Sequence, residues 1–261
     1  MAQKINPLAF RCLNNFEDSF CQQQVYKRSS LPYALQENKK VMLFIRRFFK
    51  TFNLVLHSFK FVKTSQGIAH LSVKYVPSQS RGEKDFNKFV NFSTLENAFL
   101  YSFSRFFSTT PILVSFFNLD KGKKKASLPI TIKGSPFTTA ELSCYLNVLT
   151  STKGSAFFLA NILSSKLHKM RSRVDRKSQA RFLVFVNNLL THTFNNNSIK
   201  IKGIRVNING RVNGVPRSKS WCASEGKMSL QRIDAKIDYY YLPSQTVYGT
   251  FGIKVWINYG D

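Results

Sequence analysis

The stretch "YGTFGIKVWINYGD", from Tyr248 to Asp261, constrains the fold more than any other part of this chain. Phe251, Ile253, Val255 and Ile257 alternate with Gly252, Lys254, Trp256 and Asn258. Strict alternation of this kind is the pattern of a strand with one face in a core, so the segment is built into a sheet. Its candidate neighbours are "LQRIDAKIDYYYL", facing it across a turn at Pro243 and Ser244, and "IKIKGIRVNI" further upstream. Helical periodicity precedes these strands in "AFFLANILSSKLHKMRSR" and "SQARFLVFVNNLLTHTF", and the polar run "NNNS" at 195–198 ends the helical part. Residues 151–261 are thus expected to form an α/β domain with helices packed on a mainly antiparallel sheet.

The amino-terminal part has its own rhythm. After a turn at Pro32, Met42, Ile45, Phe49 and Phe52 recur at helical spacing, with Lys39, Lys40, Arg46, Arg47 and Lys50 elsewhere around the axis. Two strand-like runs, "LVLHSFKFVKT" and "IAHLSVKYV", are joined by Ser65, Gln66 and Gly67. Residues 83–90 and 94–107 read as helices, the second carrying Leu95, Phe99, Phe103 and Phe106, and 111–119 as a buried strand. The order is α-β-β-α-α-β. From Asp120 the pattern dissolves into a Lys-, Gly- and Pro-containing stretch with one helix near its end. The chain therefore reads as α+β in class, with a domain over 1–120, an inserted linker over 121–150 and a second domain over 151–261. No internal repeat or coiled-coil heptad is present.

Charge narrows the function. Against 39 Lys and Arg stand 13 Asp and Glu, a net +26. Such an excess repels itself unless a polyanion neutralises it, which points first to nucleic acid and second to an anionic membrane. The membrane reading is the weaker, because the greasiest region is interrupted by Glu96, Asn97, Arg105 and Pro111 and no run reaches the length of a spanning helix. Hydrophobic residues at 43% supply a real core.

Catalytic signatures are missing: there is no Walker loop, GxGxxG, HExxH or G-x-S-x-G. Cys12, Cys21, Cys144 and Cys222 lack C-x-x-C partners, and His57, His70, His168 and His192 are scattered, so no metal and no cofactor is expected. Asp234 and Asp238 share a strand face with Lys236 between them; the pair could hold a cation or do acid–base work, but Arg232 and Lys236 favour a charge-balanced face. No enzymatic role is expected.

The basic residues carry more information. "KLHKMRSRVDRKSQAR" places Lys166, Lys169, Arg171, Arg173, Arg176, Lys177 and Arg181 together, answered by Asp175 alone. An ordinary solvated helix mixes signs, so this cluster reads as a phosphate-facing surface. Trp221 and the tyrosines at 239–241 could stack on bases or pack in the core or at its rim.

Residues 210–257 resemble the carboxy-terminal domain of the small-subunit ribosomal protein S3 family. The family's pattern of G-R-x-x-G, basic residues with a Trp, E-G-x-x-P-L, an I-D-Y strand and Y-G-x-x-G-x-K-V-W-I is met at Gly210, Arg211, Gly214, Trp221, Glu225, Gly226, Leu230, Ile237, Asp238, Tyr239, Tyr248, Gly249, Gly252, Lys254, Val255, Trp256 and Ile257. Ser229 stands where proline is usual. Arg211, Arg217 and Lys219 within this stretch join the RNA-binding candidates. "MAQKINPLAFR" resembles the family's G-Q-K-x-x-P opening, with Ala2 in place of glycine, and "LQENKKV" resembles the start of its first KH helix. The likeness is strong over 1–76 and 199–261, faint over 83–119 and 155–192, and absent across 120–150.

The resemblance implies a type II KH-like domain at the amino end and a structural role in the small ribosomal subunit. The partners it implies are rRNA, neighbouring small-subunit proteins and mRNA at the channel through which the message enters. The family's Arg-Arg pair followed by a Lys on one helix is not reproduced here, and the cluster at Arg171, Arg173, Arg176, Lys177 and Arg181 is the nearest replacement. KH domains hold single-stranded RNA with a G-x-x-G loop, and "VPSQSRGEK" offers only Gly82 there, which puts that clamp in doubt. Loss of the loop, the insertion and the AT-rich style of composition lead to the expectation of a mitochondrial form, ribosome-bound in the matrix. Because the family's first residues fall at residue 1, no presequence is expected and synthesis within the organelle is. The alternative is a free organellar RNA-binding protein that helps splicing or assembly. A nucleic-acid nuclease or lyase comes third.

Overall fold

The computed structural model describes residues 6–11, 31–52, 54–63, 68–77, 92–106, 111–119, 136–151, 156–169, 176–196, 201–212 and 215–260. The chain divides into two compact units, one of Phe16–Gly122 and the other of Met1–Asn15 together with Lys123–Asp261.

In the first unit, helix α2 spans Leu31–Thr51, strands β1 and β2 span Leu54–Lys63 and Ala69–Pro77, helix α3 spans Phe92–Phe106 and strand β3 spans Ile112–Asn118. The sheet order is β1-β2-β3, with β1–β2 antiparallel and β2–β3 parallel. A parallel pair cannot be joined by a tight turn, so the chain between β2 and β3 must cross over. On α2 the fully buried residues are Val41, Ile45 and Phe49, one stripe at four-residue spacing. Met42 and Phe52, expected in that stripe, are half-buried at its margins. Leu95, Phe99 and Phe103 form the matching stripe of α3. Phe99 meets Phe48 edge-on at 4.9 Å and Phe116 at 5.1 Å, so an aromatic core ties both helices to β3. Glu37 and Lys63 close an ion pair at 2.6 Å between α2 and the end of β1. The helix expected at 83–90 and the region of Gly82 lie outside the described residues.

The second unit contains α1 (Pro7–Phe10), α4 (Thr139–Ser151), α5 (Ala156–Lys169), α6 (Arg176–Asn195) and strands β4 (Gly203–Gly210), β5 (Lys219–Gly226), β6 (Ile237–Thr246) and β7 (Gly249–Asn258). Its sheet runs β5-β4-β7-β6 and is antiparallel throughout. The strongly alternating strand β7 is therefore interior, with β4 on one side and β6 on the other. Phe251, Ile253, Val255 and Ile257 are buried on the face that α5 and α6 cover, together with Ile204, Val206 and Ile208 of β4.

Three sequence expectations change here. The hairpin between β6 and β7 turns at Val247 and Tyr248, with Thr246 opposite Gly249, and not at Pro243 and Ser244. Pro243 lies inside β6, opposite Gly252, which a residue without an N–H tolerates because β6 is an edge strand. Gly249 takes φ +112° at that turn, a conformation open to glycine.

Residues 136–150 are structured as part of the second unit rather than as linker. Thr138 and Glu141 form a reciprocal cap at the start of α4: the Thr138 N–H donates to Glu141 Oε2 at 3.1 Å, and the Glu141 N–H donates to Thr138 Oγ1 at 3.2 Å. Leu142, Tyr145, Leu146, Val148 and Leu149 of this helix are buried.

The boundary at residue 120 also divides differently, because the amino-terminal segment packs with the second unit. Arg11 is 1% exposed and its guanidinium is enclosed by carbonyl oxygens. Nη1 donates to Pro7 O at 3.1 Å, and Nη2 donates to Leu230 O at 2.8 Å and Arg232 O at 2.5 Å, with Ser229 O at 3.4 Å. Burial lowers its pKa from the ordinary arginine value.

The sheet's second face carries, in rows across β5-β4-β7-β6, Ser220–Asn209–Gly252–Pro243, then Cys222–Asn207–Lys254–Tyr241, then Ser224–Arg205–Trp256–Tyr239. Trp256 is 5% exposed and packs on Tyr239 at 5.4 Å, with Ala235, Ile237, Met228 and Leu230 around them.

Candidate nucleic-acid interface

The predicted basic cluster spans the end of α5, the connection to α6 and the first turns of α6. Lys166 is committed within its own unit. Its ammonium lies 3.9 Å from Glu141 Oε2, 3.5 Å from the Pro136 carbonyl and 4.3 Å above the Phe137 ring. It anchors α5 to α4 and is removed from the phosphate-facing set. Lys169 ends α5, and Arg176 and Lys177 begin α6, while Arg171 and Arg173 lie outside the described residues. Arg181 is exposed one turn further along α6.

The first turn of α6 contains no acidic residue. A helix amino terminus carries partial positive charge from its unsatisfied N–H groups, so two cations there are locally unfavourable unless an anion joins them. On its inner side α6 buries Phe182, Phe185, Val186, Leu189 and Leu190, which fixes Arg181 outward.

A second basic group sits in the β4–β5 connection and at the start of β5. Arg211, Arg217 and Lys219 are all exposed. Arg211 Nε donates to Val215 O at 3.0 Å, so its side chain shapes the connection that carries the others. At the root of this connection Gly210 lies against the Phe251 ring, where an added Cβ would come within 2.7 Å. That contact gives a packing reason for the glycine of the G-R motif.

Asp238 and Asp234 do not act as a pair. Asp238 Oδ2 accepts the Ala156 N–H at 2.8 Å and so caps α5 from β6, while Asp234 is exposed ahead of the strand. His168 Nδ1 lies 2.9 Å from Gln245 O, and Ser244 Oγ donates to Ser164 O at 3.2 Å, tying α5 along β6. Among the described residues no group of His, Cys, Asp and Glu is arranged to hold a metal, and no helix is long and apolar enough to cross a membrane. Cys144 is buried and Cys222 exposed; Cys12 and Cys21 lie outside the described residues.

Of the aromatic candidates, Tyr239 stacks on Trp256, Tyr240 meets Phe157 of α5 edge-on at 4.7 Å, and Trp221 is half-buried on the helix-covered side of β5. Tyr241 is 49% exposed on the other face. Sequence reasoning missed Arg11 and Arg205. The Arg205 guanidinium lies 5.8 Å from the Trp256 ring, a cross-strand contact set by their pairing in register. Arg11 belongs to the "NPLAFR" opening, which was its only visible signal.

Helices on one side of an antiparallel sheet, with basic residues concentrated at its connections, define a basic α/β domain. The family described as "Ribosomal protein S3, C-terminal domain" matches residues 166–257. Over these residues the chain is similar to the carboxy-terminal domain of ribosomal protein S3. Relatives include the small ribosomal subunit protein uS3c of Physcomitrium patens, 53% identical over 57 residues, which are 22% of this chain and 26% of the relative. The uS3c of Chaetosphaeridium globosum is 48% identical over 62 residues, 24% of each chain. That of Cycas taitungensis is 51% identical over 61 residues, 23% of this chain and 28% of the relative. The chain thus matches about a quarter of the length of these relatives. They are the chloroplast form, which points to a plastid and overturns the mitochondrial expectation. A lost loop, an insertion and AT-rich composition describe sequence drift and do not discriminate between compartments.

Proposed function

We propose that this protein is a structural constituent of a small ribosomal subunit that binds rRNA by neutralising phosphates and contacts mRNA where it enters. The match of residues 166–257 to the S3 carboxy-terminal domain carries this reading. The net charge of +26 supports it, because a self-repelling surface of this size is stable beside a polyanion. The amino-terminal unit is proposed to be a KH-like module that packs against rRNA or protein without clamping single strands through a G-x-x-G loop. The cations at Arg171, Arg173, Arg176, Lys177 and Arg181 are proposed to face the message.

Sedimentation tests the main reading. The protein should co-sediment with the small subunit after a high-salt wash; recovery as a light, free species would instead favour a splicing or assembly helper. For the mRNA contact, replacing Arg173, Arg176 and Lys177 with Ala should slow translation of hairpin-containing messages more than unstructured ones while assembly proceeds. Equal slowing, or failure to assemble, makes the cluster an rRNA anchor.

A further inference from the structure

Among the described residues, the second face of the β5-β4-β7-β6 sheet is covered at one end, and α1 lies beside β6. The segment after β5 lies across that end: Asn258 Nδ2 donates to Lys227 O at 3.1 Å, and a Cβ on Gly203 would meet Lys227 O at 2.5 Å. The rows holding Asn209, Gly252, Lys254 and Tyr241 lie beyond it. With Asn6 and Tyr239 these four line a depression of about 640 Å³.

Its chemistry is specific. Lys254 has no hydrogen-bond or ion-pair partner among the described residues, and it sits directly opposite Tyr241 in register. Asn209 Oδ1 is buried and accepts no hydrogen bond. Gly252 leaves room for the Tyr241 ring, whose atoms come within 3.4 Å of where a Cβ would stand, so the ring is supported over the backbone with its outer surface open. No outward-facing residue on the four strands is acidic.

These features ask for a ligand with a flat π-face, a negative charge and an N–H donor. A nucleotide has all three: the base stacks, the phosphate meets the ammonium and a base-edge N–H reaches an amide oxygen. A protein partner would instead require apolar anchors at the centre of the patch. The open rows carry none beyond the one tyrosine and Pro243.

Resting on the rRNA-binding reading above, we propose that the open part of this face holds a short single-stranded RNA segment. One base stacks on Tyr241, a phosphate sits at Lys254 and a base N–H donates to Asn209. This is a second RNA contact, on the opposite side of the sheet from α5 and α6.

The test uses the full chain with a fluorescent oligoadenylate and, separately, a blunt RNA duplex of equal length, both followed by anisotropy. Tyr241→Ala should weaken oligoadenylate binding about tenfold and leave duplex binding unchanged, while Tyr241→Phe should stay within about twofold of the parent. Lys254→Gln should lower the slope of log affinity against log salt by about 0.7 for the single strand. Near-ultraviolet circular dichroism checks that each variant keeps its fold. Parental oligoadenylate affinity in Tyr241→Ala, or equal losses on both RNAs, overturns this site and leaves the rRNA-binding reading standing. Loss of subunit association with unchanged RNA affinity also overturns it, in favour of a protein-docking face. A parent chain that binds neither RNA refutes the rRNA-binding reading itself, and this site with it.

Discussion

Replacing Arg11 with Met asks how much the carbonyl cage contributes. The guanidinium reaches Pro7 O through Nη1 and the carbonyls of Ser229, Leu230 and Arg232 through Nη2. Nη2 has two hydrogens for three acceptors, so about three bonds count. Three of the four contacts are only part-buried, which places each bond near about 1 kcal/mol rather than the 1.5–3 of a buried charged bond. Methionine fills similar volume and relieves the desolvation of the charge, which returns about 1 kcal/mol. The expected net loss is about 2 kcal/mol, or about 4–8 °C in melting temperature for a unit of this size. Near-ultraviolet circular dichroism of the full chain measures it through Trp256, which packs beside the segment that Arg11 holds. Arg11→Lys should recover less than half of the loss, because a single ammonium cannot serve both Pro7 O and the 230–232 carbonyls. A Met variant that melts within about 1 °C of the parent, or a Lys variant that restores it fully, refutes the cage argument.

Trp256→Ala should leave a cavity where a 5% exposed indole now packs, costing about 3–5 kcal/mol in a denaturant titration, and an unchanged midpoint would contradict that packing. Thr138→Ala should remove half of the cap of α4 and cost about 1 kcal/mol, whereas Thr138→Ser should hold within a few tenths. Tyr239 has its pKa raised by burial first and by Tyr241 second. Its folded pKa lies above the unfolded value, so its contribution is complete below about pH 10 and is lost as pH rises through the folded value. Tyr239→Phe should therefore lose less stability than the parent across that alkaline window, and parallel stability–pH curves would show that the phenol does not titrate with folding.

The sequence was legible where periodicity is local. The stripes of α2 and α3, the alternation of β7 and the pairing of neighbouring strands follow from spacings of two and three to four residues. The helix α4 was half-visible: Thr138-x-x-Glu141 is a capping signature, but the preceding Lys- and Gly-rich residues masked it within a stretch read as linker. The turn was misplaced because Pro243 is usually a breaker, and its tolerance depends on β6 being an edge, which is a tertiary fact. Asp238 looked like half of a carboxylate pair until its partner proved to be the amide of Ala156, 82 residues away. Beyond the "NPLAFR" opening Arg11 gave no signal, since the acceptors of its Nη2 stand 218–221 residues further on. Lys166 looked like its basic neighbours, and only the placement of Glu141 and Phe137 shows that its charge is already engaged.

The interior position of β7 has a consequence for synthesis. On a growing chain β4 can pair with β5, but its other edge and the whole of β6 stay unpaired until Gly249–Asn258 has been made. The Phe16–Gly122 unit depends on no later residues for its own sheet and can settle early. The amino-terminal segment must instead wait for Leu230 and Arg232 to dock Arg11, and long-range closures of this kind are slow. A product cut short before β7 would leave β4 and β6 with open edges, the form of surface that aggregates or is captured by proteases. The sheet thus acts as a length gauge: only a chain translated through β7 closes its strand edges, and copies cut short before it keep them open.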